Sequence, residues 1–555
     1  MSQSATLPTT CREMVVEGIS VPLGTDVGQV LYKARQKVKR SGLPAGSLHF
    51  RLYKKSIDAR KKQDIRLVYS VICTVKTGER DLSTDLVKRA GYKPYLPGEV
   101  APVHGSTPLC GRPLVVGAGP AGLFCAYLLA REGYAPILIE RGDDIAERVD
   151  AVDAFVRDGV LDTESNIQFG AGGAGTFSDG KLLTRINDSR CAFVLETLKD
   201  MGAPNEITTQ AKPHVGTDML RRVVSHMLTR IVDMGGEVVF RCRFEGVSRL
   251  ADGTFSAHTT KGDMPCGVVV LAPGHSARDT YHTLIKENFA VEAKPISVGV
   301  RIEHLREDMD QMLYGHAAGH PDLGAGEYHL SDTKGERGVY TFCMCPGGEV
   351  VAAASEEDSV VVNGMSNHAR DGVNSNAAIA VSVGVEDYTP VDGNMALGAI
   401  AFQRKIERAA FVAGGKNYDV PLETVGDFLS GKGQRGMTSP SRVQPTYRGG
   451  THYRTAPMSD VLPPFVVASL MYGIASFDKK IAGYAMPEAV LTAAETRTSA
   501  PVRILRGQDF CALGHEGIYP CGEGAGYAGG ITSAATDGLR VAEAIVEKYR
   551  EPALG

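Results

Sequence analysis

Short unbroken apolar runs punctuate the chain, the pattern of strands buried on both faces. Leu114 to Val116 is one, Pro136 to Ile139 a second, and the run that opens at Gly267 and breaks at Pro273-Gly274 a third. Between the first two, Leu123 to Glu132 reads as a helix. Ahead of them, Met14 to Val21, Leu48 to Lys54 and Ile65 to Val75 read as strands, and Asp26 to Lys39 and Thr84 to Ala90 as helices. That is a small α+β unit of its own, and the proline- and glycine-rich run Pro94 to Pro108 reads as its linker. Later, Thr217 is placed to cap a helix running to Asp233, and Glu237 to Phe240 and Phe244 to Leu250 read as strands. A long middle segment then mixes strands (Ile296 to Glu303, Val339 to Met344, Glu349 to Ala354) with helices (Ala399 to Val412, Pro464 to Tyr472).

The first two runs frame Gly117-Ala118-Gly119-Pro120-Ala121-Gly122, and the second ends in Glu140-Arg141. Strand, glycine turn, helix, strand and acid form the first βαβ unit of a dinucleotide fold. Gly117 permits the tight turn, Gly119 lets a pyrophosphate approach the backbone, and Gly122 lets helix and sheet pack. A pyrophosphate would lie on Gly119, Pro120 and Ala121 at the helix N-terminus, where free N–H groups favour an anion. Glu140 stands where a carboxylate accepts from an adenosine ribose, with Arg141 beside it. Gly431 to Gly436 repeats the glycine spacing, but no buried strand precedes it and Pro440 follows, so it reads as a loop.

A second glycine cluster, Gly170, Gly172, Gly173 and Gly175, leads into Ser178-Asp179-Gly180-Lys181. Such a loop exposes backbone amides to a ligand, and Lys181 would bring a cation to it. His214 reads as a structural histidine, the alternative being a site residue. Arg301 and Glu303 share one strand face by their period of two, toward substrate or solvent. The run Ser430 to Pro457, with Arg435, Arg442, Arg448 and Arg454, reads equally as a mobile cationic lid or a surface loop.

At 555 residues the chain is too long for one core. Its net charge of −4 says little about partners, but the N-terminal unit is locally basic: from Lys33 to Arg66 only Asp58 and Asp64 oppose a dense set of lysines and arginines. That patch reads as a solvated or docking face; the alternative is a site for RNA or another polyanion. The eleven cysteines are scattered, with one close pair, Cys343-Met344-Cys345, and no zinc spacing, so no metal is expected. No signal sequence or transmembrane-length apolar stretch is seen, and a cytoplasmic setting is expected.

The fingerprint, the strand ending Ala272-Pro273-Gly274, and Tyr519-Pro-Cys-Gly-Glu-Gly-Ala-Gly-Tyr-Ala-Gly-Gly530 together resemble flavoproteins of the two-dinucleotide-binding type. With Lys55 to Arg60, the run Gly172 to Lys181 and Tyr340 to Gly348, the chain more closely resembles a bacterial family of FAD-dependent, NAD(FAD)-utilising dehydrogenases, over nearly its whole length. The resemblance implies an α/β protein. A Rossmann-like FAD-binding domain (112–292 and 501–555) would carry an inserted α+β substrate domain (293–500). A small α+β domain (1–95) would precede it, across a linker (96–111). It implies FAD contacts at Gly117, Gly119, Pro120, Ala121, Gly122, Glu140, Arg141, Gly172, Gly173, Gly175, Ser178, Lys181, Ala272, Gly274, Gly522, Glu523, Gly529, Gly530 and Ile531. Glu523 replaces the aspartate usual in the second motif.

A redox cysteine pair soon after the first βαβ unit is missing, which excludes the common disulfide reductase, and no second Rossmann unit is found; NAD(P)H could still dock transiently. The reading is an FAD oxidoreductase, dehydrogenating or reducing a small anionic organic substrate. Lys181, Arg301 and Cys345 are the candidate catalytic residues, and Lys181, Arg301 and the arginines of the Ser430 to Pro457 run would bind the anion. Cys343 and Cys345 with Cys521 read as buried and inert, or else as a redox relay. The alternatives are an RNA-associated flavoprotein and a flavin-binding protein without turnover.

Overall fold

The computed structural model describes residues 10–43, 47–76, 82–95, 98–431, 438–440 and 442–552. Arg435 and most of the second glycine repeat lie outside these. The apolar runs become a five-stranded parallel sheet in the order Ile518–Pro520, Val268–Leu271, Pro113–Val116, Ile137–Ile139, Glu237–Val239. Pro113–Val116 and Val268–Leu271 are buried at every position, as unbroken apolar runs require. One edge strand thus comes from the far end of the chain. The helices Pro120–Arg131, Thr217–Asp233 and Ile531–Lys548 share one core on one face of this sheet. Gly538 makes close packing possible there, because a Cβ on it would stand 2.1 Å from the Ala121 carbonyl oxygen.

Between the strands Val268–Leu271 and Ile518–Pro520 the chain builds a second sheet of seven strands. Its order is Ser331–Asp332, Val339–Cys345, Asn374–Val383, Ile296–Leu305, Val490–Glu495, Val420–Thr424, Tyr453–Thr455. All neighbours are antiparallel except the last pair. Helices Met395–Gly414 and Pro464–Asp478 pack into its core. Glu349–Ala352 does not join this sheet; it pairs with Val362–Met365 as a separate hairpin. Thr217 is the first helical residue rather than the cap, which is Gly216, and its hydroxyl donates to the Thr176 carbonyl instead. No helix among the described residues is long and apolar enough to cross a membrane.

The N-terminal unit is a four-stranded sheet, Ser47–Asp58, Arg66–Lys76, Glu13–Pro22, Lys93–Pro94, covered by the helix Val27–Arg40. Several of its basic residues are spent locally: Arg51 pairs with Glu13, Arg60 with Asp58 and Arg66 with Asp64. Lys55 docks the unit on the body. Its backbone N–H donates to Thr209, its carbonyl accepts from Ala211, and its ammonium meets Asp322 at 3.3 Å.

A buried ionic cluster joins the two larger sheets. Glu407, fully buried on the helix Met395–Gly414, accepts from Arg278 at 2.7 and 2.8 Å and from Arg497 at 3.1 and 3.2 Å. Burial alone would raise this carboxyl, but the two guanidiniums outweigh it and hold Glu407 well below the carboxylate range. Glu407→Ala takes from Arg497 its carboxylate and leaves Arg278 with Glu356, and is expected to cost about 3–5 kcal/mol. The urea midpoint should fall accordingly; an unchanged midpoint contradicts this role.

Candidate functional site

A cavity runs along the C-terminal edge of the parallel sheet, where open α/β sheets place their ligands. Gly117, Gly119, Pro120 and Ala121 line its middle. Gly122 does not, for a local reason. A Cβ on it would lie 1.8 Å from the Gly117 carbonyl oxygen, so this glycine serves the turn itself. Gly119 is different. Its φ is −76°, and a Cβ there would meet nothing nearer than Gly173 Cα at 4.0 Å. Nothing in the protein demands a glycine at that position; what it keeps clear is space for a ligand.

Two helices begin at the cavity, Pro120–Arg131 after Gly119 and Ile531–Lys548 after Gly530. Neither has a side-chain cap, so N–H groups of both first turns remain for an anion. Gly529, Gly530 and Ile531 line the cavity from the second helix; Gly522 packs on the Ala121 methyl instead. Asp537 fixes this motif by accepting from the Gly522 N–H and pairing with Arg506 at 2.6 Å.

Glu140 lies in the wall, but its carboxylate is largely used by the protein. It accepts from the backbone N–H of Ala118 at 2.8 Å and of Gly142 and Gly170 at 2.9 Å. With about four acceptor positions on a carboxylate, roughly one remains for a ribose. Arg141 also lines the cavity while paired with Glu164 and Asp279. Cys242, Arg243 and Phe244 complete this end; no sequence motif marked them, since they follow an ordinary strand.

The glycine loop is pinned rather than free. Arg148, fully buried, donates to the carbonyls of Asn166, Ile167 and Ala171. Gly173, Gly175, Ser178 and Lys181 line the cavity, whereas Gly172 turns away, its φ of +83° setting the start of a 3₁₀ turn. Asp179 binds Arg370 and Lys181, both at 2.5 Å, and Lys181 also meets Glu327 at 3.1 Å. Burial works against both charges, but their mutual attraction prevails: Asp179 is lowered and Lys181 raised. His214 bonds the His368 carbonyl and stacks on that ring, outside the cavity lining.

Ala272 and Gly274 line the opposite wall and lead to His275, which the sequence reading missed. Burial, with Arg497 and Arg278 adding to it, lowers His275 to about 3, so its imidazole is neutral. The inserted unit closes this end with Phe342, Cys343, Asn363, Arg497 and Thr498. Glu523 lies here too, its carboxyl raised to about 7 by burial, with Lys294 opposing.

Three expectations are corrected. Arg301 and Glu303 are both fully buried and face neither substrate nor solvent. Arg301 pairs with Glu495 at 2.9 Å and bonds Asn376, while Glu303 accepts from Asn374 and Thr446. Cys345 is buried behind Cys343 and is not in the wall. The described arginines of the Ser430 to Pro457 run also lie elsewhere. Arg442 pairs with Asp308, Arg448 is buried against the Val156 and Tyr418 carbonyls, and Arg454 is exposed on a strand.

The two glycines separate binding from folding. Gly119→Ala should hold the FAD-free melting temperature within about 2 °C of the parent and lose bound FAD, read by absorbance of the purified protein. Gly122→Ala should destabilise the protein itself. Equal FAD content in Gly119→Ala and parent contradicts the assignment. Glu523 gives a pH test. A carboxyl raised in the fold contributes stability below its unfolded value that is lost as pH climbs toward 7. FAD-free Glu523→Gln should therefore melt higher than the parent at pH 8 and match it at pH 4. A difference that is the same at both pH values contradicts the shift.

The site's features accord with comparisons to known proteins. Residues 115–176 match an NAD(P)-binding Rossmann-like domain, and residues 295–498 match the C-terminal domain of FAD-dependent proteins. A Clostridium beijerinckii protein described as uncharacterized is 46% identical over 541 residues, 97% of this chain and 99% of its own. Among solved structures, CtdE in complex with FAD is similar at 11% identity over 78% of this chain and 84% of its own, with a TM-score of 0.31. The halogenase PltM is similar at 10% identity over 78% and 68%, with a TM-score of 0.34. Neither structure bears on the reaction. The residues fit the cofactor: two uncapped helix N-termini for its pyrophosphate, a cleared glycine between them, and a wall of glycine loops along its length. FAD is therefore the cofactor, and the chain belongs, with the Clostridium protein, to a family of FAD-dependent flavoproteins.

Proposed function

We propose that the protein is an FAD-dependent oxidoreductase that moves an electron pair between its flavin and a small organic substrate carrying an anionic group. One observation supports this most. The inserted unit supplies its own residues, Phe342, Cys343, Asn363, Arg497 and Thr498, to the cavity end where Lys181 and the Gly529 to Ile531 turn also converge. A second unit closing over one end of a cofactor cleft makes a place for a substrate against the cofactor. FAD, when bound, supplies the redox chemistry; the protein orients the substrate and excludes water.

Lys181 is the group for an anion. Two of its three N–H donors face Asp179 and Glu327, which hold the ammonium charged and leave one donor for a ligand. The carboxyl of Glu523 stands in the same cavity and can hold or move a proton near neutral pH, whereas the imidazole of His275 stays neutral there and offers only hydrogen bonds. Arg497, fixed by Glu407, adds a rigid guanidinium to the wall. The parallel sheet is the one dinucleotide-type sheet among the described residues, so a pyridine nucleotide would dock and leave rather than occupy a domain of its own.

Anaerobic mixing of the holoenzyme with NADH and with NADPH tests the reading. Rapid bleaching of the visible flavin band by one nucleotide is expected, followed by reoxidation when an acceptor is added. A flavin that stays oxidised with both nucleotides contradicts the donor and turns the reaction toward substrate dehydrogenation.

A further inference from the structure

Cys343 and Cys345 are not used by the reading above. They end the strand Val339–Cys345 of the inserted unit, and Cys343 stands in the cavity wall. In a regular strand, residues two apart are separated by ~6.6 Å along the chain, and their sulfurs do not meet. This strand is irregular. Phe342 pairs with Ala378 and Cys345 with Asn376, so three steps on one strand oppose two on the other. That extra residue is a bulge, a device that re-aims side chains. Cys343 takes a φ of +42° within it, a left-handed conformation unfavourable for a side chain of this kind.

The bulge folds the two residues back on each other. The Cys345 thiol donates to the Cys343 carbonyl oxygen at 3.4 Å, which sets the two thiols side by side. Both are free thiols. The neighbouring Cys345 thiol, helped by the charges of Arg301 and Lys181 against the effect of burial, lowers Cys343, while Cys345 is raised. Two other cysteines line the cavity: Cys242 lies at the end near Glu140, and Cys521 is raised by burial and by Asp537 and is poorly suited to form a thiolate. The partly exposed sulfur is thus the one poised as a nucleophile, and the buried one stands behind it.

We propose that Cys343 and Cys345 form a redox dithiol that exchanges an electron pair with the bound flavin, an inference that rests on the flavin oxidoreductase reading. Oxidation forms one S–S bond between them and breaks two S–H bonds. Both electrons and both protons pass to FAD, which becomes dihydroflavin. The reverse transfer returns the disulfide to two thiols and the flavin to its oxidised form. No other oxidant or reductant is required for this step. Cys343, in the wall, is the sulfur that faces the cofactor, and Cys345 is the sulfur that closes the disulfide.

The holoenzyme, oxidised with ferricyanide and freed of it, is titrated anaerobically with dithionite. The parent should take up four electrons per FAD, two in the flavin and two in the disulfide. After oxidation, the peptide carrying both cysteines should resist alkylation and be lighter by two hydrogens. Cys343→Ser and Cys345→Ser should each take up only two electrons. Cys191→Ser, whose thiol bonds Thr536 outside the cavity lining, should still take up four. Two-electron uptake by the parent, with both thiols alkylated after ferricyanide, overturns the dithiol and leaves the flavin reading standing. A purified parent that neither carries nor takes up FAD overturns both. The alkylation result on the parent decides the matter even where a serine variant fails to fold.

Discussion

Two glycine-rich loops and the turn just after its own strand meet on a single carboxylate. Glu140 accepts from Ala118 in the fingerprint turn, from Gly142 just beyond its own strand, and from Gly170 at the head of the second glycine loop. Each N–H is buried, and a buried donor left without an acceptor is costly. One side chain therefore fixes the relative position of the loops that floor the cavity. Arg148 complements it from the far side by holding three carbonyls of the same loop. The ligand-facing backbone is held by the protein's own hydrogen bonds, which reduces the ordering that binding must bring about.

The same economy explains how two distant parts of the chain make one site. The strand Ile518–Pro520 joins the parallel sheet beside Val268–Leu271, and the helix Ile531–Lys548 packs on the fingerprint helix through Gly538. Both helix N-termini then open on one cavity. The inserted unit is held against them by Glu407 between Arg278 and Arg497, and by Asp179 with Arg370. Charge pairs this deeply buried add little net stability, but they demand one geometry, since misplacing any partner strands a buried charge. Their place beside the cavity is where precise registration of the two units matters.

Patterns with a local physical cause were legible in the sequence. The βαβ unit was, because buried strands and the 1.8 Å restriction at Gly122 leave few alternatives to those residues. So was the loop at Gly173, Gly175 and Lys181, which lines the cavity as its composition suggested. What a side chain meets across the fold was not legible. Arg301 and Glu303 do share a strand face, but the strand is central in its sheet and that face is buried under Glu495, Asn374 and Thr446. The arginines from Arg442 to Arg454 looked like an anion clamp as a group, and each is placed separately by its own long-range contacts. Phe342 lies in a run that marked the family but no role, and Asn363, on the separate hairpin, and Thr498, just past the strand Val490–Glu495, carry no motif; all three reach the cavity only through the tertiary fold of the inserted unit. The bulge at Cys343 was equally hidden, since register is a property of two strands and not of one.

A crystal structure of the holoprotein tests the central claim most directly. The account predicts FAD with its pyrophosphate between the N-termini at Gly119 and Gly530, its adenosine toward Glu140 and Phe244, and its ring system toward Lys181 and Cys343. FAD bound in the reverse orientation, or bound away from this cavity, would contradict it.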